Sequence, residues 1–254
     1  MWGRAAVAVF AVVAYVGFLG SFLAFMLFSS GLASGFTVDG GARGSPLAAV
    51  AVDLCLAFLF GATHSVMARP RWKRRWTRGL RPGLERSVFV LVASVQLLLV
   101  CALWWPVAGP DLWQSSGTLA VALRALSALG WATAFASSYL IDHLGLFGLR
   151  QGLGLAPVPE ALRTPFLYRI VRHPLYLGML VGLWAAPRMT ISHALFAGLL
   201  TLYVLIGVRY EERALVRSFG QAYRDYQARV PMLLPVPRRA PAFTDAVAAR
   251  RTRD

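Results

Sequence analysis

Apolar runs separated by short polar segments set the pattern of this chain. The runs are Ala5–Phe28, Leu47–Met67, Val88–Trp105, Thr118–Ile141, Leu175–Pro187 and Ile191–Val208. A transmembrane helix needs roughly 20 apolar residues, so the pattern predicts about six spans. The last two are expected to form a helical hairpin bent at Pro187-Arg188. The first run exceeds the roughly 7–15-residue core of a signal peptide and reads as a retained helix. Residues 29–46 are rich in Gly and Ser and predict a loop, whereas Arg209–Arg229 predicts a polar helix after the hairpin. The fold class that follows is an all-α integral membrane protein, with one membrane domain over residues 1–235. The Pro-, Ala- and Arg-rich remainder, 236–254, reads as a disordered basic tail.

Composition agrees with the pattern. Of 254 residues, 57% are hydrophobic, and the mean hydropathy of +0.58 belongs to polytopic membrane proteins. A net charge of +15 raises the question of nucleic acid, but the basic residues gather beside apolar runs. That is the distribution at a cytoplasmic membrane face, and it makes anionic lipid headgroups the expected partner. Between residues 68 and 86, Arg69, Arg71, Lys73, Arg74, Arg75, Arg78, Arg81 and Arg86 stand against Glu85 alone, which places this loop in the cytoplasm. Trp72 and Trp76, one turn apart, suit a helix at headgroup level. Trp104-Trp105-Pro106 marks the opposite interface, where Asp111 is the lone charge before Gly117, and Arg124 lies close enough to that interface to snorkel. Six spans then put both termini in the cytoplasm of a cell whose inner membrane holds the protein. Cys55 and Cys101 lie inside apolar runs with no CxxC or His-Cys spacing, so neither a disulfide framework nor a metal site is expected.

Some polar residues interrupt the apolar pattern. Asp53 and His64 share one face of the second span, about 16 Å apart along the axis, and both require a partner or a cavity. Asp142-His143 directly follows the fourth span and leads into a Gly-rich turn. His143 there reads equally as a proton acceptor at the mouth of a cavity and as an interface anchor. His193 lies beyond the hairpin bend, on the far side from these groups.

Residues 165–235 carry the most chemistry. Arg172-His173-Pro174 opens one apolar block and Arg209-Tyr210-Glu211-Glu212-Arg213 closes the next, so a hairpin returns both clusters to one membrane face. Taken locally, Glu212 pairs with Arg209, one turn away. The longer pattern is R-H-P-x-Y-x-G at 172–178, then E-E-x-x-L at 211–215, G-x-x-Y-x-x-Y at 220–226 and V-P-x-x-x-P at 230–235. This order of elements resembles the isoprenylcysteine carboxyl methyltransferase superfamily, to which phospholipid methyltransferases are related. Further segments, Gly61–Pro70 around His64, Trp72–Arg78, Glu85-Arg86-Ser87 and Tyr139–Gln151, are similar to the methanethiol S-methyltransferase and nurim-like branch. Members of that branch often carry Gln where this chain has Thr63, beside the candidate histidine.

The resemblance implies an S-adenosylmethionine-dependent membrane enzyme whose cofactor part spans 142–235. It places the cofactor among Tyr168, His173, Pro174, Tyr176, Gly178, Glu211, Glu212 and Tyr223. It also implies a small thiol as acceptor, methanethiol becoming dimethyl sulfide. A thiol is only a few per cent ionised at neutral pH. His64 or His143 is therefore the expected base, and Arg172 or Arg169 the expected source of a positive field. No strand-linked GxGxxG is present, which excludes the soluble nucleotide-binding architecture. Two alternatives stand beside this reading: an isoprenylcysteine- or lipid-type methyltransferase, and a non-enzymatic nurim-like membrane protein.

Overall fold

The structure, a computed structural model, describes residues 3–32, 35–41, 44–81, 83–159 and 161–236. Helix α1 (Arg4–Ser30) ends at Gly31, whose left-handed φ of 66° terminates it. Helix α2 (Pro46–Ala68) begins where the Ser45 hydroxyl accepts from the Ala48 amide, with Pro46 in the first turn. It stops at Arg69, since the residue before Pro70 is driven from helical geometry. The amphipathic turn α3 (Pro70–Trp76) follows, then α4 (Leu84–Leu103) and α5 (Gly117–Ile141). Two short helices, α6 (His143–Leu146) and α7 (Leu149–Gly152), and a 3-10 turn at Phe166–Arg169 lead to α8 (Pro174–Trp184). The chain closes with α9 (Ile191–Phe219) and α10 (Gln221–Arg229).

Five of these helices, α1, α2, α4, α5 and α9, are long and apolar enough to cross a membrane, and the chain is an all-α multi-pass membrane protein. Their outward faces carry Phe58, Val121, Leu129 and Leu202, as a lipid-facing surface requires. The core between them is aromatic: Phe25, Phe28, Trp104, Trp131 and Phe196 pack with Leu183. Edge-to-face contacts hold Trp131 against Phe25 and Trp104 against Phe196.

The expected fifth span differs. Helix α8 has 11 residues, about 16 Å at 1.5 Å each, against a hydrocarbon core of about 30 Å. It packs closely on α5. A Cβ on Gly178 would stand 2.5 Å from the Ala134 amide nitrogen, and one on Gly130 2.6 Å from the Gly182 nitrogen. Glycines on both helices therefore let the two backbones touch.

The sixth span and the polar helix after it also differ from expectation, because α9 continues unbroken through Val208 to Phe219. Nothing between Val208 and Gly220 breaks a helix, and Glu, Arg, Ala and Leu there are good formers. Gly220, with φ of 56°, makes the turn into α10. At the bend, β2 (Arg188–Thr190) pairs antiparallel with β1 (Asp111–Gln114), and Arg188 meets Asp111 at 2.9 Å. A loop was expected at both places. The tail expected from Val236 onward lies, after Val236 itself, outside the described residues.

Candidate active site

The hairpin brings its two polar clusters together. Glu212 Oε1 accepts from Arg172 Nε at 2.6 Å and lies 3.2 Å from His173 Nε2. Its other oxygen accepts from the Gln227 side chain of α10 at 3.0 Å. Glu212 thus pairs across 40 residues rather than with Arg209. The neighbouring Glu211 accepts from the Tyr176 hydroxyl at 3.0 Å and stands 4.0 Å from His173 Nδ1. The side chain of Glu211 is 44% exposed against 15% for Glu212, so Glu211 is the carboxylate free to meet a ligand.

Arg172 is 6% exposed, and its Nε and Nη1 groups are committed. Besides Glu212, its guanidinium donates to the carbonyls of Gln227 and Val230. The Arg172 and His173 amides donate to the Pro231 and Met232 carbonyls at 2.9 and 3.2 Å. The V-P-x-x-x-P segment is therefore laid along the R-H-P segment. Arg172, an expected source of a positive field, is held by these bonds and anchors the wall of the site.

That wall encloses a cleft of about 470 Å³, within the roughly 300–1,000 Å³ of small-molecule sites. Tyr168, Arg172, His173, Tyr176, Glu211 and Tyr223 line it, together with Asp142, Leu215, Phe219 and Tyr226. The Tyr223 hydroxyl is buried without a hydrogen-bond partner, while Tyr226 donates to the Tyr168 carbonyl. Burial raises the hydroxyl pKa of Tyr168 and Tyr223 well above the phenol range and that of Tyr226 to about 12. All three remain neutral donors.

The remaining wall comes from the loop at Val158, Pro159, Ala161, Leu162 and Arg163, which was not singled out from the sequence. Its signal was a run of prolines at 157, 159 and 165 directly before the site.

Five expected site residues lie apart from the cleft lining: Glu212, which sits behind it on Arg172, and Gly178, Pro174, His143 and His64. Gly178 serves the α5–α8 contact. Pro174 is the first residue of α8, where its missing N–H is harmless. His143 is held on both ring nitrogens, 2.6 Å from the Ser138 hydroxyl and 2.8 Å from that of Tyr15. Its ring stacks on Tyr139 at 3.8 Å. Burial lowers its pKa against the opposing pull of Asp142. This ring is an anchor for α6, whose first turn is capped by Asp142 accepting from the Gly145 amide.

His64 stands deeper, on α2, ringed by Phe60, Phe89 and Tyr203, and its Nδ1 is buried without a partner. Asp53, on the same helix, accepts from the Trp105 amide at 2.9 Å. His193 is engaged at the bend by Asp39 and the Leu183 carbonyl. Among the described residues, no group of three His, Cys, Asp or Glu side chains is arranged to hold a metal ion.

The phospholipid methyltransferase family matches residues 118–222, the part of the chain that builds most of the cleft. No solved structure matches the chain. Methanethiol S-methyltransferase 2 of Bradyrhizobium diazoefficiens is 44% identical, over 92% of this chain and 92% of its own. Methanethiol S-methyltransferase of Mycobacterium tuberculosis is 48% identical over 75% of this chain and 80% of its own. Human nurim is a more distant relative, 35% identical over 63% of this chain and 65% of its own. With α5 to α9 accounted for by the family match, and nearly the whole chain by a bacterial relative, this protein belongs to the methanethiol S-methyltransferase family.

Proposed function

We propose that the chain is an S-adenosylmethionine-dependent methyltransferase of the cell's inner membrane that converts methanethiol to dimethyl sulfide. The observation that carries this is the open Glu211 carboxylate, held by Tyr176 inside a cleft of about 470 Å³. The cleft suits S-adenosylmethionine group by group. Glu211 complements its positive charge, and the unpartnered Tyr223 hydroxyl offers a buried donor. Arg163, on the loop side, complements the carboxylate, while Leu162, Leu215 and Phe219 are apolar walls for the adenine. When bound, this cofactor supplies a methyl group made electrophilic by the sulfonium that carries it.

The chain's own residues do the rest. Tyr176 fixes Glu211, and the Arg172–Glu212 pair holds the 230–234 segment against the site. Proximity contributes most of the acceleration, since holding the reacting atoms about 3–3.5 Å apart replaces a rare encounter. We assign the thiol proton to Nδ1 of His64, the buried ring nitrogen left without a partner. An apolar, volatile thiol partitions into lipid, which fits a catalyst built of membrane helices. In this orientation the cleft and both termini face the cytoplasm, with the Arg-rich 69–78 segment on anionic headgroups.

Headspace gas analysis of cells expressing the chain and supplied with methanethiol tests the reading. Dimethyl sulfide above an empty-vector control, abolished by Glu211→Ala, supports it. A well-inserted protein that binds S-adenosylmethionine yet yields no dimethyl sulfide overturns the thiol and turns the search to larger acceptors. Absence of binding overturns the enzyme reading altogether.

A further inference from the structure

A second space lies inside the helix bundle, apart from the cofactor cleft. It measures about 40 Å³ and is lined by Phe60, Leu97, Phe196, Leu199, Leu200 and Tyr203, among others. A polar atom on its wall is turned elsewhere. The Trp104 indole nitrogen donates to Ser192 at 3.1 Å. A cavity of this kind stays dry and takes apolar guests.

Its size selects the guest. It is less than a tenth of the cofactor cleft's 470 Å³, which suits a guest of a few non-hydrogen atoms. Methanethiol has two and dimethyl sulfide three, whereas a lipid or prenyl chain has many more.

Its position connects it to the chemistry. Tyr203 forms part of the wall and packs edge-on to His64, with ring centroids 6.2 Å apart. Phe60, on the same wall, lies 5.5 Å from the His64 ring. A Cβ on Gly61 would stand only 3.2 Å from the Tyr203 ring, so the glycine lets that ring lie flat between α2 and α9.

We infer that this cavity is the acceptor chamber: it receives the small thiol from the membrane interior and sets its maximum size, with Tyr203 as the partition toward His64. The inference rests on the thiol methyltransferase reading above and adds where the acceptor waits and what limits it.

The test compares methanethiol with 1-propanethiol in purified full-length protein, reading both sulfide products. Wild type strongly prefers methanethiol. In Leu200→Ala, and in Leu97→Ala as a second enlarging variant, the propanethiol-to-methanethiol ratio of kcat/KM rises about tenfold or more, the scale of methylene discrimination in apolar pockets. In Leu200→Phe, the KM for methanethiol rises while the Kd for S-adenosylmethionine is unchanged. Independently of turnover, dimethyl sulfide raises the Tm of wild type and not that of Leu200→Phe. An unchanged ratio in folded, cofactor-binding Ala variants overturns the chamber alone, as does a thermal shift that survives in Leu200→Phe. A wild type inert on both thiols overturns the thiol reading and the chamber with it.

Discussion

His173 Nε2 and Glu212 Oε1 lie 3.2 Å apart although 39 residues separate them in the chain. The same carboxylate oxygen takes the Arg172 guanidinium at 2.6 Å. One acidic side chain in the polar C-terminal part of α9 thus fixes both residues that lead into α8. Removing one member of such a pair leaves a buried charge without compensation, which costs about 3–5 kcal/mol. Arg172→Ala is therefore expected to lower Tm sharply and to release the 230–234 segment. Limited proteolysis near Val230, together with a thermal melt in detergent, reads both effects. A variant as stable and as resistant as wild type would show that the pair contributes little.

Tyr223→Phe separates ligand binding from folding. Its hydroxyl is buried and has no partner in the protein, so losing it should leave Tm unchanged or slightly raised. If the hydroxyl meets the cofactor, the loss of one hydrogen bond, about 0.5–1.5 kcal/mol, weakens S-adenosylmethionine binding roughly 2- to 10-fold. Calorimetry on the purified protein measures this, and equal affinities would remove Tyr223 from the site.

Gly178→Ala tests the contact between α5 and α8. The added methyl would meet the Ala134 nitrogen and the Gly130 oxygen, both at 2.5 Å. These are backbone atoms, so the helices must separate. We expect poor insertion or aggregation on size exclusion, with cofactor affinity lost only because α8 has moved. A monodisperse, stable variant that fails to bind cofactor would instead place Gly178 in the site.

His143 makes stability depend on pH. Its pKa in the folded protein lies below the ordinary value, which is about 6.5 unfolded. Below about pH 6.5 the unfolded chain takes up a proton that the folded ring resists, so stability falls as pH falls toward the folded pKa. Above about pH 6.5 both states are neutral and this dependence vanishes. His143→Gln, which can still hydrogen-bond with Tyr15 and Ser138, is expected to flatten the Tm profile between pH 7 and 5. A profile identical to wild type would assign the dependence to other groups.

Arg188 and Asp111 provide the contrast. Their ion pair is 2.9 Å long, but the arginine side chain is 54% exposed. Exposed pairs contribute about 0–1 kcal/mol, so Arg188→Ala should shift Tm by a few degrees at most. A large shift would mean that the β1–β2 ribbon depends on this pair.

Much of the fold was readable before any contact was known. Crossing a membrane depends on the transfer free energy of a continuous run, which is a local property, so the five long helices appear as apolar stretches. The hairpin was legible for the same reason: two apolar runs joined by Pro187-Arg188 return their polar ends to one side, and Glu212 does meet Arg172 and His173 there. The span at α8 was overestimated because hydropathy counts Ala185 to Pro187 as membrane residues, although the helix ends at Trp184. The end of α9 was placed too early because polarity changes at Arg209 while helix propensity does not.

The sequence by itself determined the membrane class, the order of the helices and the residue types that converge at the cleft. Tertiary structure decided which partners within the protein hold each of those residues. Arg172 is bonded to Glu212 and two carbonyls, His143 is held by Tyr15 from α1 and Ser138 from α5, and Gly178 disappears into a helix crossing. Each outcome depends on a partner supplied by another segment, many of them distant in the chain. Periodicity records which face of a helix is apolar. It does not record which neighbour arrives against that face, because that is set by how the helices cross.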